Sequence, residues 1–183
     1  MADTIDEKVA SMRMTPITAT RTGGKVSNVL LPNGQQYAYT TPEPLYTPYD
    51  VSGFGGDEAK QSFCLQLDEG SRDFWRALSD ALRDHAAKHL ELDPRDYHDF
   101  IKTSSQGQEL VKVKIARGNH PTQWWDTNKN LLQQPPDSIA GTRCRVRVVI
   151  GSVWIQPRSW GFVLQASHIE HHPDSEMEAC PFG

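Results

Sequence analysis

A chain of 183 residues with a formal net charge of −4 suits one domain with an appended tail and is long enough to bury a sizeable core. It has no apolar run near the roughly 20 residues of a membrane span, and its acidic start, MADTIDEKVA, lacks the basic and apolar regions of a signal peptide. Cys64, Cys144 and Cys180 are an odd count at irregular spacing, which points to a reduced, intracellular protein rather than a disulfide framework.

Residues 1–27 are polar, short of large apolar groups, and read as a flexible arm with a short strand near Ile17. A strand signal near Val29 is followed by Pro42, Pro44 and Pro48 among tyrosines, an extended and irregular connection. The glycine-rich VSGFGGDEAK lacks the Lys-Ser/Thr ending of a phosphate-binding loop and carries no cofactor signal. In QSFCLQL, Phe63, Leu65 and Leu67 alternate inward as in a half-buried strand.

Ser71 is expected to cap a helix over 71–90, whose apolar stripe runs through Phe74, Trp75, Leu78, Ala81, Leu82 and Ala86. His85 and His89 fall one turn apart on it, with no third ligand to make a metal site. Asp93-Pro94 opens a second short helix bearing Tyr97, Phe100 and Ile101. LVKVKI sends Val111, Val113 and Ile115 one way and Lys112 and Lys114 the other. After a polar loop over 117–140 comes the alternation Arg143, Arg145, Arg147 against Cys144, Val146, Val148, Ile150, then a strand around Val153–Ile155, a turn at 156–159 and a last strand over 162–169. An acidic segment, 170–183, reads as a disordered tail. The order suggests domain limits of 1–27, 28–169 and 170–183.

The charge is polarised. Residues 101–169 carry nine basic and three acidic residues, a net +6, which leaves −10 for the rest. Lys112, Lys114, Arg117, Lys129, Arg143, Arg145, Arg147 and Arg158 could hold phosphates, while aromatic rings stack on bases, as single-stranded nucleic acid requires. One ring of Trp124-Trp125 should anchor the core and the other face solvent, with the assignment open. Trp160, at the turn, is the better exposed candidate, with Phe162 sharing its platform. Trp154 is divided between core and surface. His168, His171, His172 and Cys180 fit no closed zinc motif, and no catalytic constellation can be assembled. A metal, a cofactor and an enzyme are therefore not expected.

The segments YTPYDVSGF, QSFCLQL, LVKVKI and GTRCRVRVVIGSVWIQPRSWGFVLQASHI resemble the OB-fold single-stranded-DNA-binding proteins of large eukaryotic DNA viruses. Those are similar in plan to the replisome single-stranded-DNA-binding proteins of phages. The most specific elements are Thr47-Pro48-Tyr49 before a strand and the closing pattern of Gly141, Arg143–Val149, Trp154, Trp160-Gly161 and an apolar strand. The resemblance spans most of residues 45–170. It implies an α+β protein: an OB-like Greek-key β-barrel with an inserted amphipathic helix packed on it, coating single strands in DNA replication, recombination or repair. Glu176, Glu178, Pro181 and Phe182 resemble a tail that docks replication or recombination proteins, although Gly183 follows the aromatic residue. If viral, the protein would act in the host nucleus or a cytoplasmic replication site. The alternatives are a viral structural or protein-interaction module on the same barrel, or an RNA-binding protein. A homo-oligomer is left open, and no membrane partner is expected.

Overall fold

A computed structural model describes residues 4–54 and 57–173. In chain order the elements are α1 (Ile5–Ser11), β1 (Arg13–Met14), β2 (Thr18–Ala19), β3 (Lys25–Leu30), β4 (Tyr37–Thr40), β5 (Leu45–Thr47), β6 (Ser52–Phe54), β7 (Asp57–Gln66) and α2 (Glu69–His89). They continue with β8 (Ile101–Thr103), β9 (Glu109–Ile115), β10 (Gln123–Trp125), β11 (Leu131–Leu132), β12 (Thr142–Gln156) and β13 (Ser159–His172). The described residues form two compact units. One takes 4–37, Glu69–Lys102 and Ile150–Val163, the other Ala38–Asp68, Thr103–Val149 and 164–173. No described helix is long and apolar enough to cross a membrane.

Five strands close into a barrel in the order β12-β5-β7-β9-β13 and back to β12. Its ladders are antiparallel except one: β9 and β13 run parallel, with Lys114 opposite Gln165 and Ile115 opposite Ala166. A parallel pair needs a long crossover, and here the chain from 116 to 158, including β12, supplies it. The alternation of β12 and β9 supports this closure directly. Cys144, Val146, Val148, Val111 and Val113 are all at most 1% exposed, and they meet Phe63, Leu65, Leu164 and Ala166 in a packed interior. Burial pushes the Cys144 thiol up to about 12, so it is a packing group rather than a nucleophile. The two basic strands do not pair. β13 lies between β9 and β12, because alternation fixes which face a side chain takes, not which strand lies next door.

One turn pins the barrel mouth. Thr47, fully buried, donates from Oγ1 to the Ile139 carbonyl (2.7 Å). Asp50 then accepts from Ser138 Oγ and from the Ile139 and Ala140 amides at 2.6–2.9 Å. Those bonds, Ser138 foremost, hold its carboxyl below the usual carboxylate range. The Thr-Pro-Tyr turn thus leads β5 out of the barrel while clamping the loop that leads into β12.

In the other unit, α2 starts at Glu69, ahead of Ser71, and buries Trp75, Leu78, Ser79, Leu82 and Ala86 along one stripe. The segment after Asp93 is a short 3-10 helix of one turn, Pro94–Asp96, with Asp93 as its cap, and it ends before Tyr97. Tyr97 and Phe100 follow it, outside any helix. Phe100 meets Trp75 edge-on at 6.1 Å, and the Tyr97 hydroxyl lies 2.9 Å from Ser79 Oγ. Within the segment read as an arm, Thr4 and Glu7 form a capping box on α1. Val9 and Met12 are buried, and His85 Nε2 bonds the Met12 carbonyl at 2.9 Å. The few apolar residues there are placed where they count.

Candidate functional site

On the barrel unit, Thr40, Trp125, Lys129, Arg145, Arg147, His168 and Glu170 line an open groove of about 350 Å³. The strand geometry explains each placement. On β12 the buried set Cys144, Val146, Val148 leaves Arg143 and Arg145 half-buried and Arg147 exposed on the outer face. β10 runs parallel to β13, with Trp124 opposite Ile169 and Trp125 opposite Glu170. Adjacent residues on a strand point apart, so Trp124 enters the core at 5% exposure and Trp125 stays half-exposed in the groove. β13 changes its buried parity, from Leu164 and Ala166 to Ile169 and His171. A one-residue change of this kind re-aims the rest of the strand and turns His168 and Glu170 outward.

Hydrogen bonds hold these groups in place. Arg145 Nε donates to the Thr41 carbonyl at 2.9 Å, and Arg147 Nη1 donates to Ser167 Oγ at 2.9 Å. Each arginine is oriented by one nitrogen and keeps the rest of its donor fork. The Trp125 indole N–H donates to His168 Nδ1 at 3.3 Å, with ring centroids 6.2 Å apart. Lys129 sits in a turn with φ +66°, capped by Asp126, which accepts from the Asn128 and Asn130 amides at 2.9 Å. The turn brings the Lys129 ammonium onto Glu170, which His172 Nε2 also meets at 2.7 Å. Partial burial pushes the Glu170 carboxyl up, but the bonds from Lys129 and His172 outweigh it and leave it below the usual range. A carboxylate is therefore part of the groove wall.

Burial, and then the Arg147 charge, lower the His168 pKa from its ordinary 6.5. Protonation would occupy the Nδ1 lone pair that accepts the Trp125 N–H. A histidine with a depressed folded pKa favours folding above its ordinary value and loses that contribution as pH falls through the depressed one. The Trp125 indole N–H resonance is expected to shift on acidification with a midpoint below 6.5, and His168→Gln should abolish the shift. A pH-invariant resonance would show that the bond does not hold the ring.

The remaining sequence-predicted residues do not line this groove. Lys112 and Lys114 are exposed on β9, a strand away, and do not line it. Arg117 is exposed and donates to Gln61 Oε1 at 2.7 Å. Arg143 lies opposite Tyr46 of β5. Arg158 is exposed at the β12–β13 turn, in the other unit. Two expectations are corrected. Trp160 is 2% and Phe162 5% exposed; the Trp160 N–H donates to the Asp93 carbonyl at 2.7 Å, and its ring packs on Tyr97 at 4.9 Å. The turn tip lies at 156–159, and residues 93–97, which hold the 3-10 turn, cover the ring beyond it. Glu176, Glu178, Pro181 and Phe182 lie outside the described residues. Sequence reasoning missed Thr40, Thr41, Ser167, His168 and Glu170. For Ser167, His168 and Glu170 the signal was the outward parity of β13, which the parity change conceals.

A closed five-stranded Greek-key barrel in the order β12-β5-β7-β9-β13 defines the class: an OB-type barrel. No family model and no curated protein matches the chain. Solved structures do share its fold. The single-stranded DNA-binding protein from bacteriophage Enc34, in a C-terminal truncation, is similar at 13% identity and TM-score 0.54, covering 88% of this chain and 95% of that one. The same phage protein in complex with single-stranded DNA gives 15% and 0.53, covering 93% and 99%. The single-stranded DNA binding protein gp2.5 encoded by bacteriophage T7 gives 11% and 0.51, covering 75% and 92%.

Proposed function

We propose that this protein binds single-stranded DNA without sequence selectivity, with Arg145 and Arg147 on phosphates and a base stacked on Trp125. The observation that carries the reading is the meeting of a half-exposed indole with two oriented arginines in one groove. The shared fold supports it, since the similar structures are those of single-stranded DNA-binding proteins, one with its DNA bound. Lys112, Lys114, Arg117, Lys129 and Arg143 would extend the positive field beyond the groove. The function is coating rather than turnover, in replication, recombination or repair, and the segment holding Glu176, Glu178, Pro181 and Phe182 would dock partner proteins.

Oligothymidine is expected to quench the tryptophan fluorescence of the full chain, and duplex of equal length far less. Affinity should fall with salt at a log–log slope of about −0.7 per neutralised phosphate. Absence of quenching at low salt, or equal affinity for duplex, would remove the reading. Comparison with oligouridine separates DNA from RNA, because a stacking ring and phosphate-binding cations do not by themselves read a 2′-hydroxyl.

A further inference from the structure

We propose that a second stacking subsite for an unpaired base and its phosphate exists on the unit holding Glu69–Lys102 and Ile150–Val163, built from Trp154, His98 and Lys102. It rests on the reading of the protein as a binder of single-stranded DNA and adds a site separate from the Trp125 groove.

Five tryptophans occur in the chain, and three of them, Trp75, Trp124 and Trp160, are at most 5% exposed. Trp154 is half-buried, as Trp125 is. On β12 its neighbour Val153 is fully buried, so the alternation turns Trp154 to the outer face, where β3 pairs it with Val26. The His98 ring meets its indole edge-on at 5.8 Å and 61°. His98 is itself exposed, and its Nε2 lies 2.6 Å from the ammonium of Lys102, which is also exposed. The contact places a positive charge beside the His98 ring, which in turn meets the indole. Its partner is an imidazole rather than a carboxylate, so the lysine's charge is not cancelled there.

The arrangement is fixed from beneath. A Cβ at Gly161 would come within 2.8 Å of the His98 carbonyl oxygen and 3.0 Å of Trp154 Cζ2. The missing side chain is what lets the indole and the His98 backbone both close onto β13. The His98 amide donates to the Trp160 carbonyl at 2.7 Å, which locks the segment carrying His98 and Lys102 to the strand. A flat ring with exposed area, a second ring at its edge and a cation at hydrogen-bond distance from that ring are the elements that hold a splayed base and its phosphate.

Binding of a long, dye-labelled oligothymidine, read by anisotropy so that the signal does not depend on tryptophan, tests the subsite. Trp154→Ala is expected to weaken it by roughly five- to 150-fold, the range for losing one stacked base. Lys102→Gln should reduce the magnitude of the salt slope by about 0.7. In a Trp125→Phe background, the remaining intrinsic quenching should disappear on adding Trp154→Phe. If Trp154→Ala folds poorly, the slope of Lys102→Gln decides. Unchanged affinity and slope in these variants, while Trp125→Ala still weakens binding, would overturn the second subsite and leave the groove standing. Unchanged binding by Trp125→Ala as well would remove the reading on which the subsite rests.

Discussion

Replacing Trp160 by alanine is expected to destabilise the protein by about 3–5 kcal/mol, the cost of deleting a large buried aromatic that its surroundings cannot refill. The ring is 2% exposed and forms one corner of a cluster with Tyr97 at 4.9 Å and Phe162 at 6.3 Å. Its N–H is the donor for the Asp93 carbonyl, so the variant also strips a partner from the turn that opens at Pro94. Tyr97 would feel the loss next. Burial holds its phenol well above the ordinary 10.0, and an opened cavity would admit water to it. For a chain of this size each kcal/mol is worth about 2–4 °C, so the melting transition should drop by roughly 6–20 °C. Trp160→Phe, which keeps most of the volume and loses the donor, should fall between. An alanine variant that melts within about 2 °C of the wild type would show that the ring is not a core element. Because the chain forms two compact units, the melt is to be followed by two probes, since one unit can lose structure ahead of the other.

The same ring shows where the sequence can be read and where it cannot. The barrel interior is legible because a period of two is a local property. Phe63, Leu65, Val111, Val113, Cys144, Val146 and Val148 announce their face by alternation alone, and all of them lie inside. Helix α2 is legible for the same reason at a period of 3.6. The features that escape a local reading depend on distant contacts. A tryptophan beside a turn is exposed only if no other segment covers it, and residues 93–97, about 65 positions away in the chain, cover Trp160. Alternation gives the outward faces of β9 and β12 but not their neighbours: β13 enters the sheet between them, in parallel with one. Of Trp124 and Trp125, strand parity requires one inside and one outside, but only the register of β10 against β13 says which. Composition alone assigns Glu170 to an acidic tail. β13 continues to His172 and makes that carboxylate part of the groove. Trp160, expected at the surface, is buried because the 3-10 turn lies over it, and Trp154, which parity left open between core and surface, stays half-buried over Gly161 with the His98 ring at its edge.

The double variant Trp125→Ala/Arg147→Gln should weaken oligothymidine binding by about 2–5 kcal/mol, combining a lost stacking platform with a lost charge-assisted phosphate contact. Neither side chain belongs to the barrel interior: Arg147 is exposed and Trp125 half-exposed. The far-UV spectrum is therefore expected to be unchanged, and the loss to be one of binding rather than of folding. The single variants separate the two physical terms. Arg147→Gln keeps a polar side chain at an exposed position and removes the charge, so the salt slope should shrink by about 0.7. Trp125→Ala removes no charge, so it should lower affinity while leaving that slope intact. It also uncovers His168, whose ring lies 6.2 Å from the indole; because burial is the larger cause of its lowered pKa, the histidine should move back toward its ordinary titration. The two losses should combine with some coupling, because the groups line one groove and share His168 as a neighbour, one by a hydrogen bond and the other by charge. A double variant that binds oligothymidine as the wild type does would move the interface off this face of the barrel altogether. A slope unchanged by Arg147→Gln, with affinity still reduced, would keep the face and reassign the phosphate contact to Arg145, whose Nε is already committed to Thr41 and whose terminal nitrogens remain to donate.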